Sequence, residues 1–381
     1  MVRALWTVGS FPGRGALPLN EVFTKTPEGP IVLPAGSEDE SMDEVFGRRD
    51  MINPAQLRAL TVKSDGSGFL QLGSHLGAIL VTGVLMSLTW GSWWAVPVFM
   101  LHGTLINFLY AGQHEMSHGT VFRTRRLNEV FGRLFGFVLL YPRDFDQIQH
   151  FAHHRYTQIW EKDGELERPP YSLTSYVLWV LGPTYWYSRV RRILRFCAGT
   201  VVERYIPNER KAEIIREARF HLLGYGAIAA LSLATDSWLA VSHWLVPMMA
   251  MKFVHQLQNT IEHLGLPHVE EISLNTRTAR TNAVMRWMGW NMQFHTAHHA
   301  FPGVPFRRLP DLHRTIFIDK QRKPAEMSYL AFQLAVIRAF WHRTEADYPN
   351  NRIWISDDTD LSPSAPASKD AGYGEGLGLH S

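Results

Sequence analysis

Hydrophobic and polar positions are distributed very unevenly along this chain. No Asp, Glu, Lys or Arg occurs between Gly68 and Gln113, and a charge-free stretch that long is about twice what one helix needs to cross a bilayer. It divides at Trp90-Gly91-Ser92-Trp93-Trp94, where small residues permit a turn and tryptophan prefers the headgroup level. The pattern predicts a membrane hairpin with spans over 69–90 and 92–112. A second apolar stretch, from Phe220 to Met251, is broken only by Asp236 beside Trp238. It predicts a second hairpin whose legs are each shorter than an ideal span of about 20 residues, with Arg219 and Lys252 snorkelling toward the interface. Segments 129–141 and 171–188 are apolar, short and aromatic, and predict helices lying on the membrane surface.

The expected fold is therefore an all-α integral membrane protein with four transmembrane helices in two hairpins, interfacial helices and a cytoplasmic cap. Residues 1–60 form a polar, irregular lead-in, broken by prolines from Pro12 to Pro34 and kept wet by Glu38, Asp39, Glu40, Asp43 and Glu44. The catalytic domain is expected over 61–342, and the polar tail 343–381 is expected to be disordered. No basic start followed by an apolar core marks a cleavable signal peptide. A mean hydropathy of −0.12 looks soluble only because polar segments dilute the apolar runs.

Charge adds topology. Arg123, Arg125 and Arg126 follow the first hairpin, Arg189 to Lys211 supply a basic segment between the hairpins, and the two outer turns carry only Asp236. The positive-inside rule then puts both termini and the central segment in the cytoplasm. A net charge of +3 argues against a nucleic-acid partner. The single cysteine, Cys197, excludes an internal disulfide framework and any multi-cysteine metal site.

The candidate chemistry lies in three clusters: His114-Glu-Met-Ser-His118, His150-Phe-Ala-His153-His154 and His295-Thr-Ala-His298-His299. On a helix, positions i, i+3 and i+4 share one face, so each cluster can present its imidazoles to one pocket. Neutral imidazole binds iron, copper, zinc and nickel well, and metal binding is the main physical use of so many at chelating spacing. Glu115, Asp146, Asp163, Glu165 and Glu262 sit close to the clusters and are candidates to accept the second ring N–H of a ligand. His75, His102, His221 and His243 have no such spacing and read as packed histidines.

With these clusters the chain resembles the membrane fatty-acid desaturase and hydroxylase superfamily, marked by three histidine boxes. The resemblance covers roughly residues 70–320. It extends through His118-Gly-Thr-Val-Phe, Asn128, Asn291-Met-Gln-Phe, Phe301-Pro-Gly-Val-Pro-Phe and Leu309-Pro-Asp-Leu-His313. It implies a ninth ligand, His263, in Asn259-Thr-Ile-Glu-His263, with Asn259 reaching a metal through water. Where the family often has Asp-Pro-Glu after the second box, this chain has Asp163-Gly164-Glu165.

The resemblance implies two iron ions, dioxygen as co-substrate, and desaturation or hydroxylation of an unactivated C–H position in an acyl lipid or similar substrate. The boxes do not choose between the two outcomes, and a terpenoid or other specialised metabolite fits the same boxes. No haem signature, Gly-rich nucleotide loop or cysteine set occurs, so electrons are expected from a separate b-type cytochrome or a ferredoxin with its reductase. The basic segment 189–211 suits such a donor or lipid headgroups. The membrane would be the endoplasmic reticulum in a eukaryote and the inner membrane in a bacterium, with the metal site on the cytoplasmic side. Two other readings use the same residues. His114-Glu115-x-x-His118 also spells a zinc metalloprotease motif, and a non-catalytic membrane protein could bind metal through its histidines.

Overall fold

The first apolar run folds as two antiparallel helices, α1 (Asp65–Thr89) and α2 (Ala95–Ser117). Ser64 caps α1 by accepting from Ser67 N, and Asp65 adds a favourable negative charge to the first turn. The reversal uses Gly91 at φ +84°, a left-handed conformation that glycine adopts without strain. These are the two helices, among the described residues, long and apolar enough to cross a membrane. Their outer faces are apolar and uncovered by protein, with Leu80 at 69% and Leu101 at 49% exposure. The computed structural model describes residues 51–159, 162–165, 172–267, 269, 271–320 and 324–341. Most of the expected N-terminal lead-in, the C-terminal tail and His268 lie outside them.

α2 runs further than its apolar stretch, so the first box lies on its last turn and not beyond it. The continuation is helped by hydrogen bonds to some of its buried polar side chains. Gln113 Nε2 donates to Asp146 and to Tyr141 O, and Ser117 Oγ donates to Gln113 O. The amphipathic α3 (Arg125–Val138) packs on α2, and α4 (Arg143–Tyr156) carries the second box. Helices α5 (Leu173–Leu181) and α6 (Pro183–Cys197) meet at Gly182, φ +83°, which ends one and starts the other. Helices thus form over both segments expected to lie on the surface, and they leave Val130, Leu134, Leu178 and Tyr187 exposed.

The second apolar run begins within α7 (Lys211–Ala234), reverses at Asp236 and returns through helical turns to α8 (Val246–Ala250). Residues 241–245 are wound as a π-helix. Pro247 has no N–H to give the His243 carbonyl, and that carbonyl accepts instead from His102 Nε2 at 2.7 Å. The histidine clasps α2 to the second apolar run. From there α9 (Lys252–Asn259) leads to a short 3-10 turn over Thr260–Glu262, ending at His263.

The third box forms α10 (His295–Ala300), and the described chain ends in α11 (Tyr329–Trp341). Among the described residues, one small two-stranded sheet interrupts the helices. Strands β1 (Thr278–Arg280) and β2 (Glu326–Ser328) pair in parallel, Thr278 opposite Glu326, and tie the segment before α10 to the one before α11. The fold is otherwise helical, as expected.

Candidate metal centre

Successive residues on an α-helix point about 100° apart, and residues four apart nearly coincide in direction. Adjacent histidines therefore cannot serve one point in space, and the structure shows the result. Among the described residues two groups of donor atoms form, each with all its atoms within 4.8 Å of one another: His114, His118, His150, His154 and His298 in one, and His153, His263, His295 and His299 in the other. Every i, i+4 pair stays together. The remaining member of each doublet, His153 on α4 and His298 on α10, crosses to the other group. The groups adjoin, since His154 stacks on His299 with ring centroids 4.1 Å apart.

Within each group the ring nitrogens converge to contact distance. Nε2 of His118 and of His154 each lie 2.8 Å from His150 Nε2, and His298 Nε2 lies 3.1 Å from His154 Nε2. In the other group His263 Nε2 is 2.8 Å from His295 Nε2 and 3.2 Å from His153 Nε2. Nδ1 of His150 faces Glu165 at 3.0 Å, Nδ1 of His153 faces Asp163 at 3.0 Å, and Nδ1 of His263 faces the Asn275 carbonyl at 3.0 Å. Those oxygens accept, so in His150, His153 and His263 a proton belongs on Nδ1 and Nε2 is turned into the group. Two nitrogens bound to one metal at about 2.1 Å and at right angles are about 3 Å apart, which is the spacing found. His299 Nε2 is buried in its group with no hydrogen-bond partner. The residues fit metal ions.

Burial favours the uncharged rings a metal requires. It pushes His118, His154, His295, His298 and His299 well below the usual histidine range, with neighbouring rings adding to the effect, and it takes His263 to about 3. His153 is the exception. Burial opposes its charge, but the Asp163 and Glu165 carboxylates outweigh burial and raise it to about 9. Burial likewise raises Glu262 to about 8.

The candidate supporting acids divide. Asp163 accepts from His153, from Gln158 N and from Glu165 N, and Glu165 faces His150, so the Asp-Gly-Glu loop carries two orienting carboxylates. Glu115 Oε1 lies 3.4 Å from His298 Nδ1, while its Oε2 accepts from Thr120 Oγ1 and Phe306 N. Glu262 is 3.9 Å from His295 Nδ1 and accepts from Gln258. Asp146 departs from expectation. It reaches no histidine and accepts instead from Gln113 and Tyr110, because α4 points its 146 position at α2. Asn259 ends α9, half-buried, one 3-10 turn before His263.

Three supports were not signalled by the sequence. The Asn275 carbonyl holds His263, the Thr157 hydroxyl lies 3.2 Å from His299 Nδ1, and His75 holds the approach to α10. Trp290 and Asn291 both adopt positive φ, +50° and +61°, which costs a bulky side chain about 1–3 kcal/mol unless its surroundings hold it. Trp290 Nε1 donates to His75 Nδ1 at 3.0 Å, and Asn291 Nδ2 donates to Phe306 O. His102, His221 and His243 are packed as expected, bonded to Thr82, Tyr225 and Ser87 respectively. His313 faces Glu326 and belongs to neither group.

A family model described as fatty acid desaturase matches residues 91–329, a span that contains all nine histidines. The chain belongs to the fatty acid desaturase family. This is a membrane-bound family of oxidoreductases, and the match rules out the zinc protease. Glu115 agrees, since it sits on the Nδ1 side of His298, away from the converging Nε2 atoms, and its Oε2 is engaged. Among desaturases, the chain is similar to the sn-1 oleoyl-lipid 12-desaturase of Picosynechococcus sp., 23% identical over 266 residues covering 63% of this chain and 74% of that one. It is 25% identical to the dihydrorhizobitoxine desaturase of Bradyrhizobium elkanii over 56% of this chain and 66% of that one. It is also 25% identical to the sphingolipid delta(4)-desaturase of Drosophila melanogaster, over 63% and 71% respectively.

Proposed function

We propose that the protein is a di-iron, oxygen-dependent desaturase of an acyl lipid or similar amphiphile. The observation that carries this reading is the division of nine converging histidines into adjoining groups of five and four in a chain of the desaturase family. His114, His118, His150, His154 and His298 would hold one iron, and His153, His263, His295 and His299 the other. Asn259 would reach the second through water. When bound, the iron pair supplies the dioxygen-dependent oxidation of a C–H bond, chemistry that side chains alone cannot perform. The chain orients the imidazoles through Asp163, Glu165, Glu115 and Glu262, and its apolar packing keeps water from the site.

Desaturation is favoured over hydroxylation because the relatives are named desaturases. Four spans are favoured because the second apolar run leaves Leu223, Leu231, Leu233, Trp238 and Leu239 uncovered, more apolar surface than water tolerates. The domain limits 61–342, the cytoplasmic site and an external electron donor complete the proposal. The test is metal analysis of purified, membrane-inserted protein together with mass spectrometry of lipids from cells with and without it. Iron near about two per chain and a product lighter by two hydrogens are expected. Iron-free protein, or a lipid profile indifferent to its presence, would sink the reading.

A further inference from the structure

Two cations stand next to the histidine core with no acid among the described residues at ion-pair distance to balance them. Lys252 is 3% exposed, and its Nζ lies 3.1 Å from His255 Nδ1 and 4.1 Å from the centre of the Tyr185 ring. Arg189 places its guanidinium 3.2 Å from the centre of the Tyr141 ring and 4.5 Å from that of Tyr185, and its Nε and Nη1 are buried with no hydrogen-bond partner. The same helix shows the contrast, since both Arg192 and Arg195 pair with Glu203. No carboxylate among the described residues comes within ion-pair distance of Arg189 or Lys252, and the nearby Asp146 is engaged by Gln113 and Tyr110.

A buried cation without a counter-charge is costly, and two sharing one tyrosine ring repel each other as well. Aromatic faces offset part of this but leave Nε and Nη1 of the guanidinium without a hydrogen-bond partner. An incoming anion would satisfy them. The location gives the anion a role. Tyr110 stacks on Tyr141 with centroids 5.8 Å apart and lies edge-on to His114 at 6.4 Å, so only two aromatic rings separate the cations from a histidine of the five-membered group.

We propose that Arg189 and Lys252 form an anion-binding site that holds the carboxylate or phosphate end of the amphiphile whose chain is oxidised at the metal pair. This assignment rests on the desaturase reading for the identity of the ligand. A neutral headgroup would leave both cations uncompensated, so the site selects substrates whose polar end is charged and fixes how far from that end oxidation falls.

The test is binding to the purified full-length protein in nanodiscs of zwitterionic lipid, with laurate, dodecyl phosphate and dodecanol as probes. Laurate or dodecyl phosphate is expected to bind at least about tenfold more tightly than dodecanol, and the tighter of the two assigns carboxylate or phosphate. Lys252→Met and Arg189→Gln should each remove the preference, leaving dodecanol affinity and iron content unchanged. Lys252→Met keeps the side-chain length and deletes an unbalanced charge, so its melting temperature should stay level or rise, as it would not if the lysine were structural. Equal affinity for all three probes in the wild type overturns the proposal, as does a preference that survives Lys252→Met. Binding is read without turnover, so an inert protein that prefers the anions refutes the desaturase reading alone, and an active one indifferent to them refutes this site alone.

Discussion

Asp163 illustrates how much a single side chain can fix at this site. One carboxylate accepts from the His153 ring and from two backbone N–H groups of its own loop, so ring and loop are set together. Asp163→Asn keeps the shape and removes the charge. It should weaken metal at the four-histidine group by about 10–100-fold, read as a fall toward half the wild-type iron content with membrane insertion unchanged. Alanine at His153, His154, His298 or His299 should abolish turnover without loss of insertion, whereas His313→Ala should leave most activity, since that ring pairs with Glu326 away from both groups. Much of this was legible in the sequence, because chelating spacing is a local property and the imidazoles are named by it. What was not legible is which ring goes where. The supports at Asn275 O and Thr157 Oγ1 gave no signal either, because a carbonyl has no residue identity and a threonine has many uses. The misplacement of Asp146 has the same origin: proximity in sequence does not say which way a helix faces.

At the level of elements, the second box is positioned by a helix that belongs to a different part of the chain. Glu217 on α7 accepts from Arg143 N and Asp144 N at 2.8 and 2.9 Å, satisfying the first turn of α4, whose amides have no partner within the helix. Glu217→Ala would leave two buried donors unmet, at about 1–3 kcal/mol each. It should lower the midpoint of thermal unfolding in detergent and reduce iron content together, and a variant as stable as the wild type would contradict this role. A second such device is the His102 clasp on the His243 carbonyl. His102→Leu should destabilise by about 1–3 kcal/mol, while Pro247→Ala in the same background should recover part of the loss by restoring an N–H for that carbonyl. The hairpin turns at Gly91 and Asp236 could be read from composition, because glycine and a lone acid interrupt apolar runs. The π-helix, the 3-10 turn before His263 and the paired strands could not, since each depends on a partner distant in sequence.

For the whole molecule, the placement of the second apolar run relative to the bilayer decides the topology. The first hairpin has two helices that meet the length and apolarity required, whereas the second run has no described helix that meets both and shows only exposed apolar side chains. With four spans, both reversals face away from the basic cytoplasmic side. In a Cys197→Ser background, which removes the chain's one cysteine, Ser92→Cys and Asp236→Cys should both react with an impermeant maleimide added to the outside of intact cells. Labelling at position 92 alone would leave the first hairpin as the only spanning unit. Charge asymmetry predicts an orientation that this labelling tests, but the shorter legs of the second run fall where hydropathy stops discriminating.

Neighbouring histidines on α4 and on α10 hand their rings to different groups, and this has a mechanical corollary. Twisting either helix by a few degrees about its long axis would swing one donor toward its ion while drawing the adjacent donor away from the other. Two ions held there would therefore be geared to each other through rigid backbone, so that a distortion at one would be felt at its companion.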